Sequence, residues 1–210
     1  MPNKITLKNF LDEIASSSPA PGGGSVAALA GALGAALTSM VCNLTIGKKK
    51  YADVEGEMKK IVKQSEELRE QFTALIEKDA EAFNKLMEAF GLPKESDAQK
   101  ALRNAAIEAA TKEATMVPLE VMKHCIDAIA LAQSVAAKGN KNSVSDAGVS
   151  ALMLHAACES AALNVRINLS GLADAEFVNW KNEEMISILK TSRMMLEETQ
   201  TIVAEKMRKE

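Results

Sequence analysis

Hydrophobic positions recur along this chain at three- and four-residue intervals, and nowhere do they alternate with period two for long enough to predict a strand. Thr6 is placed to cap a short first helix, Leu7–Ala15, which ends in the serines and prolines of SSSPAP. A second helix is predicted from Ser25, a good N-cap residue, to about Ile46, with Gly47 as its stop. Asp53 opens a long third helix over Val54–Phe90, closed by GLP at 91–93. Ser96 or Asp97 caps a fourth segment to about Lys138, interrupted at Val117–Pro118, where proline removes a backbone donor. Gly139–Asn142 reads as a turn, and a fifth helix runs from Ser145 or Asp146 to about Leu169. After the Ser170–Gly171 break, Asp174 caps a sixth helix that reaches the C-terminus. The pattern predicts one all-α domain over residues 1–210, a bundle of long antiparallel helices.

Composition sharpens this picture. With 210 residues, 47% apolar and 25% charged, the chain can bury a real core, and with only 3% aromatic residues its mixture favours helices over strands. Long alanine-rich faces commonly bury against a second copy, so a homodimer is expected. A net charge of −3 without a basic stripe argues against a nucleic-acid partner. Cys42, Cys125 and Cys158 are too scattered for a disulfide framework and fit a reducing cytoplasm. Val26–Ile46 is long enough to cross a bilayer, yet its alanine, glycine, serine and threonine content suits tight helix packing better, so no membrane partner is expected. Met1–Ile14 carries Asp12 and Glu13, so it is not expected to act as a secretory leader.

The third helix carries the most informative position. Phe72, Leu75, Ile76, Phe83, Leu86, Met87 and Phe90 recur as one buried face requires, and Asp79 stands inside that stripe. A carboxylate there is costly unless paired, hydrogen-bonded or neutralised. It either meets a lysine or arginine from another helix or lines a pocket as an acid or base. Three glycines in PGGGS, before Ser25, give more freedom than a helix start needs and let a ligand approach the backbone. No GxxxxGK[ST] pattern supports a nucleotide loop. Asn140, Asn142, Ser143, Ser145 and Asp146 form a dense polar cluster, of which capping explains one or two. Lys48, Lys49 and Lys50 read as a solvated surface or a contact for an anionic tail. His155, Cys158 and Glu159 share a helix face but lack a second ligand motif, so no metal is expected.

Taken together, PAPGGGSVAALAGALGAAL, LTIGKKKY at 44–51, DAEAF at 79–83, VPLEV at 117–121 and KGNKNSVSDAGV at 138–149 resemble the cyclodeaminase/cyclohydrolase family. That family comprises the C-terminal domain of formiminotransferase-cyclodeaminase and its free-standing bacterial relatives. The resemblance spans essentially the whole chain and implies an all-helical, dimeric, cofactor-free enzyme of folate one-carbon metabolism. It implies cyclodeamination of 5-formimidoyltetrahydrofolate to 5,10-methenyltetrahydrofolate and ammonia, with hydrolysis of methenyltetrahydrofolate to 10-formyltetrahydrofolate as the alternative. A non-catalytic helical binding protein is the rival from another class. The family's acidic catalytic residue matches Asp79. On that reading the expected arrangement is that Gly22, Gly23, Gly24 and Ser25, with Asn140, Asn142, Ser145 and Asp146, position the pterin and the reacting bridge, while Lys48 and Lys50 attract the glutamate tail.

Overall fold

A computed structural model describes residues 6–208, and among them every regular element is helical. Six α-helices follow in order: α1 (Leu7–Ile14), α2 (Gly23–Asn43), α3 (Glu55–Phe90), α4 (Asp97–Lys138), α5 (Val144–Ser170) and α6 (Ala175–Arg208). Single 3-10 turns at Lys49–Tyr51 and Lys141–Ser143 complete the connections. The predicted end of the sixth helix beyond Arg208 and the segment before Thr6 lie outside the described residues.

The bundle is organised around α2, which packs against α3, α4 and α5, while α6 closes over α4 and α5. Small side chains make this central position possible. An added Cβ at Gly31 would lie 2.5 Å from the Phe72 ring, and one at Gly34 would lie 2.5 Å from Leu154 Cγ. Large residues of α3 and α5 therefore seat directly on the α2 backbone, where an added methyl group finds no room. Buried hydroxyls fasten the same seams: Ser150 donates to the Gly34 carbonyl at 2.7 Å, and Ser65 donates to the Ala35 carbonyl at 2.7 Å. Among the described residues no buried side-chain nitrogen or oxygen lacks a partner.

α2 is long and apolar enough to cross a membrane, with a mean hydropathy of 1.8, and 61% of that stretch is buried inside the bundle. Its burial is that of a core helix. Of the residues of α2 that remain accessible, Val26, Leu33 and Met40 are large and apolar and recur at intervals of seven. Val149, Leu152, Leu163 and Ile167 form a similar exposed stripe on the adjoining α5.

Several helix ends differ from expectation. α2 starts two residues early, with Gly22 at its N-cap and Ser25 inside the first turn, and it stops at Asn43. Gly47 lies four residues beyond that end, with φ +78°. Asp53 does not cap α3, and α5 begins at Val144, ahead of Ser145 and Asp146. Thr6, Ser96 and Asp174 do cap their helices: each side chain accepts from the backbone N–H three residues on. Pro118 does not interrupt α4, which is continuous from Asp97 to Lys138. The carbonyl that proline cannot engage, that of Ala114, instead accepts a hydrogen bond from Asn168 Nδ2 at 3.1 Å, so a neighbouring helix repairs the gap.

The buried stripe of α3 is also shorter than predicted. Phe72 and Leu75 are core residues, but Met87 and Phe90 are 40% and 46% exposed, and Phe83 and Leu86 are half-buried. Asp79 stands level with the first turn of α2, so the remainder of α3 projects beyond the helix that covers its earlier half.

Candidate active site

Where α2 begins, the bundle opens into a cleft of about 280 Å³. The first turn of α2 and the preceding Pro19 and Ala20 form one side, Asp79, Phe83 and Leu86 of α3 a second, and Asn164, Ile167 and Asn168 of α5 a third. The position follows from the α2 N-terminus. Gly22 at the N-cap offers no side chain to the free amides of the first turn. Asp79 takes that place from another helix: its carboxylate accepts from the backbone N–H of Ser25, and the Ser25 hydroxyl donates to Oδ2 at 2.8 Å.

Gly24 is required by the same contact. A Cβ there would lie 2.6 Å from Asp79 Cγ, so only a bare backbone leaves the carboxylate room to reach the helix end. Asp79 has no ion pair among the described residues, so its partner is the N-terminus of α2 and not a lysine or arginine of another helix. Burial pushes the carboxyl above its ordinary value, and the two hydrogen bonds from Ser25 partly oppose this. A desolvated acid without a counter-ion, on the wall of a cleft, can hold or release a proton as its surroundings change.

The sequence-predicted residues separate into two groups. Gly22, Gly23, Gly24 and Asp79 line the cleft, and Ser25 acts on it through Asp79. Lys48, Lys50, Asn140, Asn142, Ser145 and Asp146 lie at the other end of α2, about 30 Å away along a helix of 21 residues. Within one chain a single cleft therefore does not contain both groups. Asn140 is buried there: its Nδ2 donates to the Leu44 carbonyl at 3.0 Å, and its Oδ1 accepts from the Asn142 backbone N–H at 3.2 Å. Its backbone N–H donates to Thr45 Oγ1 at 2.8 Å, so it fastens the 139–143 turn to the end of α2. Lys48, Lys50, Asn142 and Ser145 are exposed, and Asp146 is half-buried. His155 bonds Ser192 across α5 and α6 at 2.8 Å and belongs to packing, as does the buried Cys158.

Asn164 and Asn168 are cleft residues that sequence reasoning missed. Their four-residue spacing on a mainly apolar helix was visible, but nothing in the sequence indicated which helix they faced.

An all-α bundle whose central glycine- and alanine-rich helix begins at a half-buried carboxylate without an ion pair defines the class of this protein. The family model for formiminotransferase-cyclodeaminase matches residues 6–187, and the chain belongs to that family. The chain is 51% identical to a methenyltetrahydrofolate cyclohydrolase of Methylorubrum extorquens, over 90% of this chain and 91% of that protein. It is 33% identical to the formimidoyltransferase-cyclodeaminase of Mus musculus, over 90% of this chain but only 35% of that longer protein. Among solved structures it resembles the formiminotetrahydrofolate cyclodeaminase of Thermotoga maritima with a TM-score of 0.80 and 35% identity, covering 97% of this chain and 96% of that one.

Proposed function

We propose that this chain is a methenyltetrahydrofolate cyclohydrolase: water adds to the bridging carbon of 5,10-methenyltetrahydrofolate, and the ring opens to 10-formyltetrahydrofolate. The observation that carries an enzymatic reading is Asp79, desolvated, without a counter-ion and facing a cleft. Hydrolysis takes precedence over deamination because the relative named for it is 51% identical across nearly its whole length.

The chemistry asks for one proton to be carried from water to N5 and a second to be released. Asp79, as carboxylate, takes a proton from water as its oxygen attacks the electrophilic methenyl carbon, giving a tetrahedral centre between N5 and N10. The carboxyl then returns that proton to N5 as the carbon–N5 bond breaks, while the hydroxyl on the carbon releases its own proton to solvent and becomes the formyl oxygen of the N10 product, so the positive charge of the methenyl substrate leaves as that proton. Burial raises the pKa of this acid, which makes it a better acceptor in the first half-step than an exposed carboxylate. Proton transfer completes the reaction, so no cofactor is called upon. The exposed apolar stripes of α2 and α5 support a homodimer closed through that face, and three free, buried cysteines support a cytoplasmic setting.

Cyclodeamination is the second reading, favoured by the structural match to the Thermotoga cyclodeaminase. There N10 attacks the formimidoyl carbon, and the same acid protonates the departing ammonia. Supplying the two folates separately distinguishes the reactions: loss of methenyl absorbance marks hydrolysis, and its appearance from the formimidoyl compound marks deamination. In either assay Asp79→Asn is expected to lower kcat by about a hundredfold or more while its circular dichroism stays helical. Full turnover in that folded variant would remove Asp79 from the mechanism.

A further inference from the structure

The proton transfer leaves two polar side chains of the cleft without a role. Asn164 and Asn168 stand four residues apart on α5, on one face, about 6 Å apart along its axis. Each is tied back through its amide nitrogen: Asn164 Nδ2 donates to the Ser160 carbonyl at 3.0 Å, and Asn168 Nδ2 donates to the Ala114 carbonyl at 3.1 Å. A carboxamide whose NH2 group meets a carbonyl oxygen is fixed in that sense, because turning it round would bring two acceptors together. The tie therefore fixes the sense of each carboxamide and leaves its Oδ1 free to accept, beside the one Nδ2 hydrogen the tie does not use. Among the described residues no protein donor reaches either Oδ1.

The two ties have different origins. Asn168 supplies the donor that Pro118 cannot, so a proline on α4 orients a cleft residue on α5. The Ser160 carbonyl already accepts the helical bond from the Asn164 backbone, so the Asn164 tie orients its side chain without repairing anything. Asn164 lies against Gly23, and Asp79 lies against Gly24, so an oriented acceptor and the proton carrier flank one turn of α2.

We infer that Asn164 and Asn168 are substrate-positioning residues whose carboxamide oxygens accept hydrogen bonds from the N–H groups of a reduced pterin. This inference rests on the folate function proposed above. The aminopyrimidinone ring of a pterin offers neutral N–H and NH2 donors along its edge, and neutral acceptors suit them. Carboxylates in the same places would add charge beside Asp79 and disfavour its ionised form.

Steady-state kinetics, thermal unfolding and calorimetric titration with tetrahydrofolate test this in Asn164→Leu, Asn168→Leu and the double variant Pro118→Ala/Asn168→Leu. Asn164→Leu is expected to raise KM and the tetrahydrofolate Kd about tenfold, with kcat within about threefold and Tm little changed. Asn168→Leu is expected to raise KM similarly and also to lower Tm, because the Ala114 carbonyl loses its partner. Adding Pro118→Ala returns a backbone donor to that carbonyl, so Tm recovers while KM stays high. A KM that recovers together with Tm, or a wild-type Kd in Asn164→Leu, overturns the inference. If the double variant does not fold, the Asn164→Leu titration decides alone. A wild-type chain that neither binds tetrahydrofolate nor turns over either folate removes the folate reading and this one together. An active wild type with unaltered asparagine variants removes only this one.

Discussion

Asp79 combines two tasks that usually belong to separate residues. It caps α2 from a different helix, accepting from the Ser25 amide and hydroxyl, and it is the one acid that its surroundings hold out of water at the cleft. The first task draws the carboxylate toward its charged form through the positive end of a helix, and the second draws it toward its neutral form. Burial is the larger effect, so the folded chain binds this proton more tightly than the unfolded chain does. Stability contributed by Asp79 is therefore present in acid and falls as pH rises from the ordinary value of 3.8 through the higher folded-state pKa. Asp79→Asn removes this titration. The Tm of the variant relative to wild type is expected to climb across that window and level off above it, as scanning calorimetry at stepped pH would show. Gly24→Ala tests the same site from the backbone side: its Cβ displaces the carboxylate, so activity is expected to fall at least tenfold with the helical fold retained. Gly22→Ala, whose nearest neighbour is the Pro19 carbonyl at 3.6 Å, serves as its steric control in the same assay.

At the scale of elements, α2 is placed by what it lacks. Glycines and alanines let Phe72 of α3 and Leu154 of α5 seat on its backbone, so the helix can be surrounded on three sides. Gly31→Ala would press a methyl group into the Phe72 ring, which is fully buried and cannot move aside without opening the core. A loss of about 1–3 kcal/mol in urea unfolding is expected. Gly56→Ala, with nothing within 4 Å of the added atom, is expected to be neutral or slightly stabilising. The course of α4 through Pro118 belongs to the same scale. Its sequence reads as a break because the donor is missing, and the helix continues because Asn168 from α5 supplies one. A cap, a kink and a binding residue are here decided between helices, not within one.

For the whole molecule, the accessible faces of α2 and α5 are the outstanding feature. Val26, Leu33 and Met40 on α2, with Val149, Leu152, Leu163 and Ile167 on α5, give exposed apolar stripes on two helices that pack together, a pattern expected of an interaction surface. If a second copy covers them, Leu33→Glu is expected to convert a dimer into a folded monomer in analytical ultracentrifugation. Ile167 belongs both to this surface and to the cleft wall, so turnover in that variant reports whether the cleft depends on the covered state.

The sequence by itself determined the all-helical class, the number of long helices, the caps at Thr6, Ser96 and Asp174, and the anomaly of Asp79 in an apolar stripe. These are local matters, fixed by side-chain period and by hydrogen bonds that reach three or four residues. Only the tertiary structure decided what Asp79 faces, because its partners are 54 residues away on another helix. It also decided that the stripe of α3 ceases to be core where α2 begins, and that Asn140 holds a turn together at the far end of α2. The orientation of Asn164 and Asn168 toward the cleft is likewise tertiary. Local rules count donors and acceptors along one helix, whereas the missing donor of Pro118 was made good by an amide 50 residues further on, brought close only by packing.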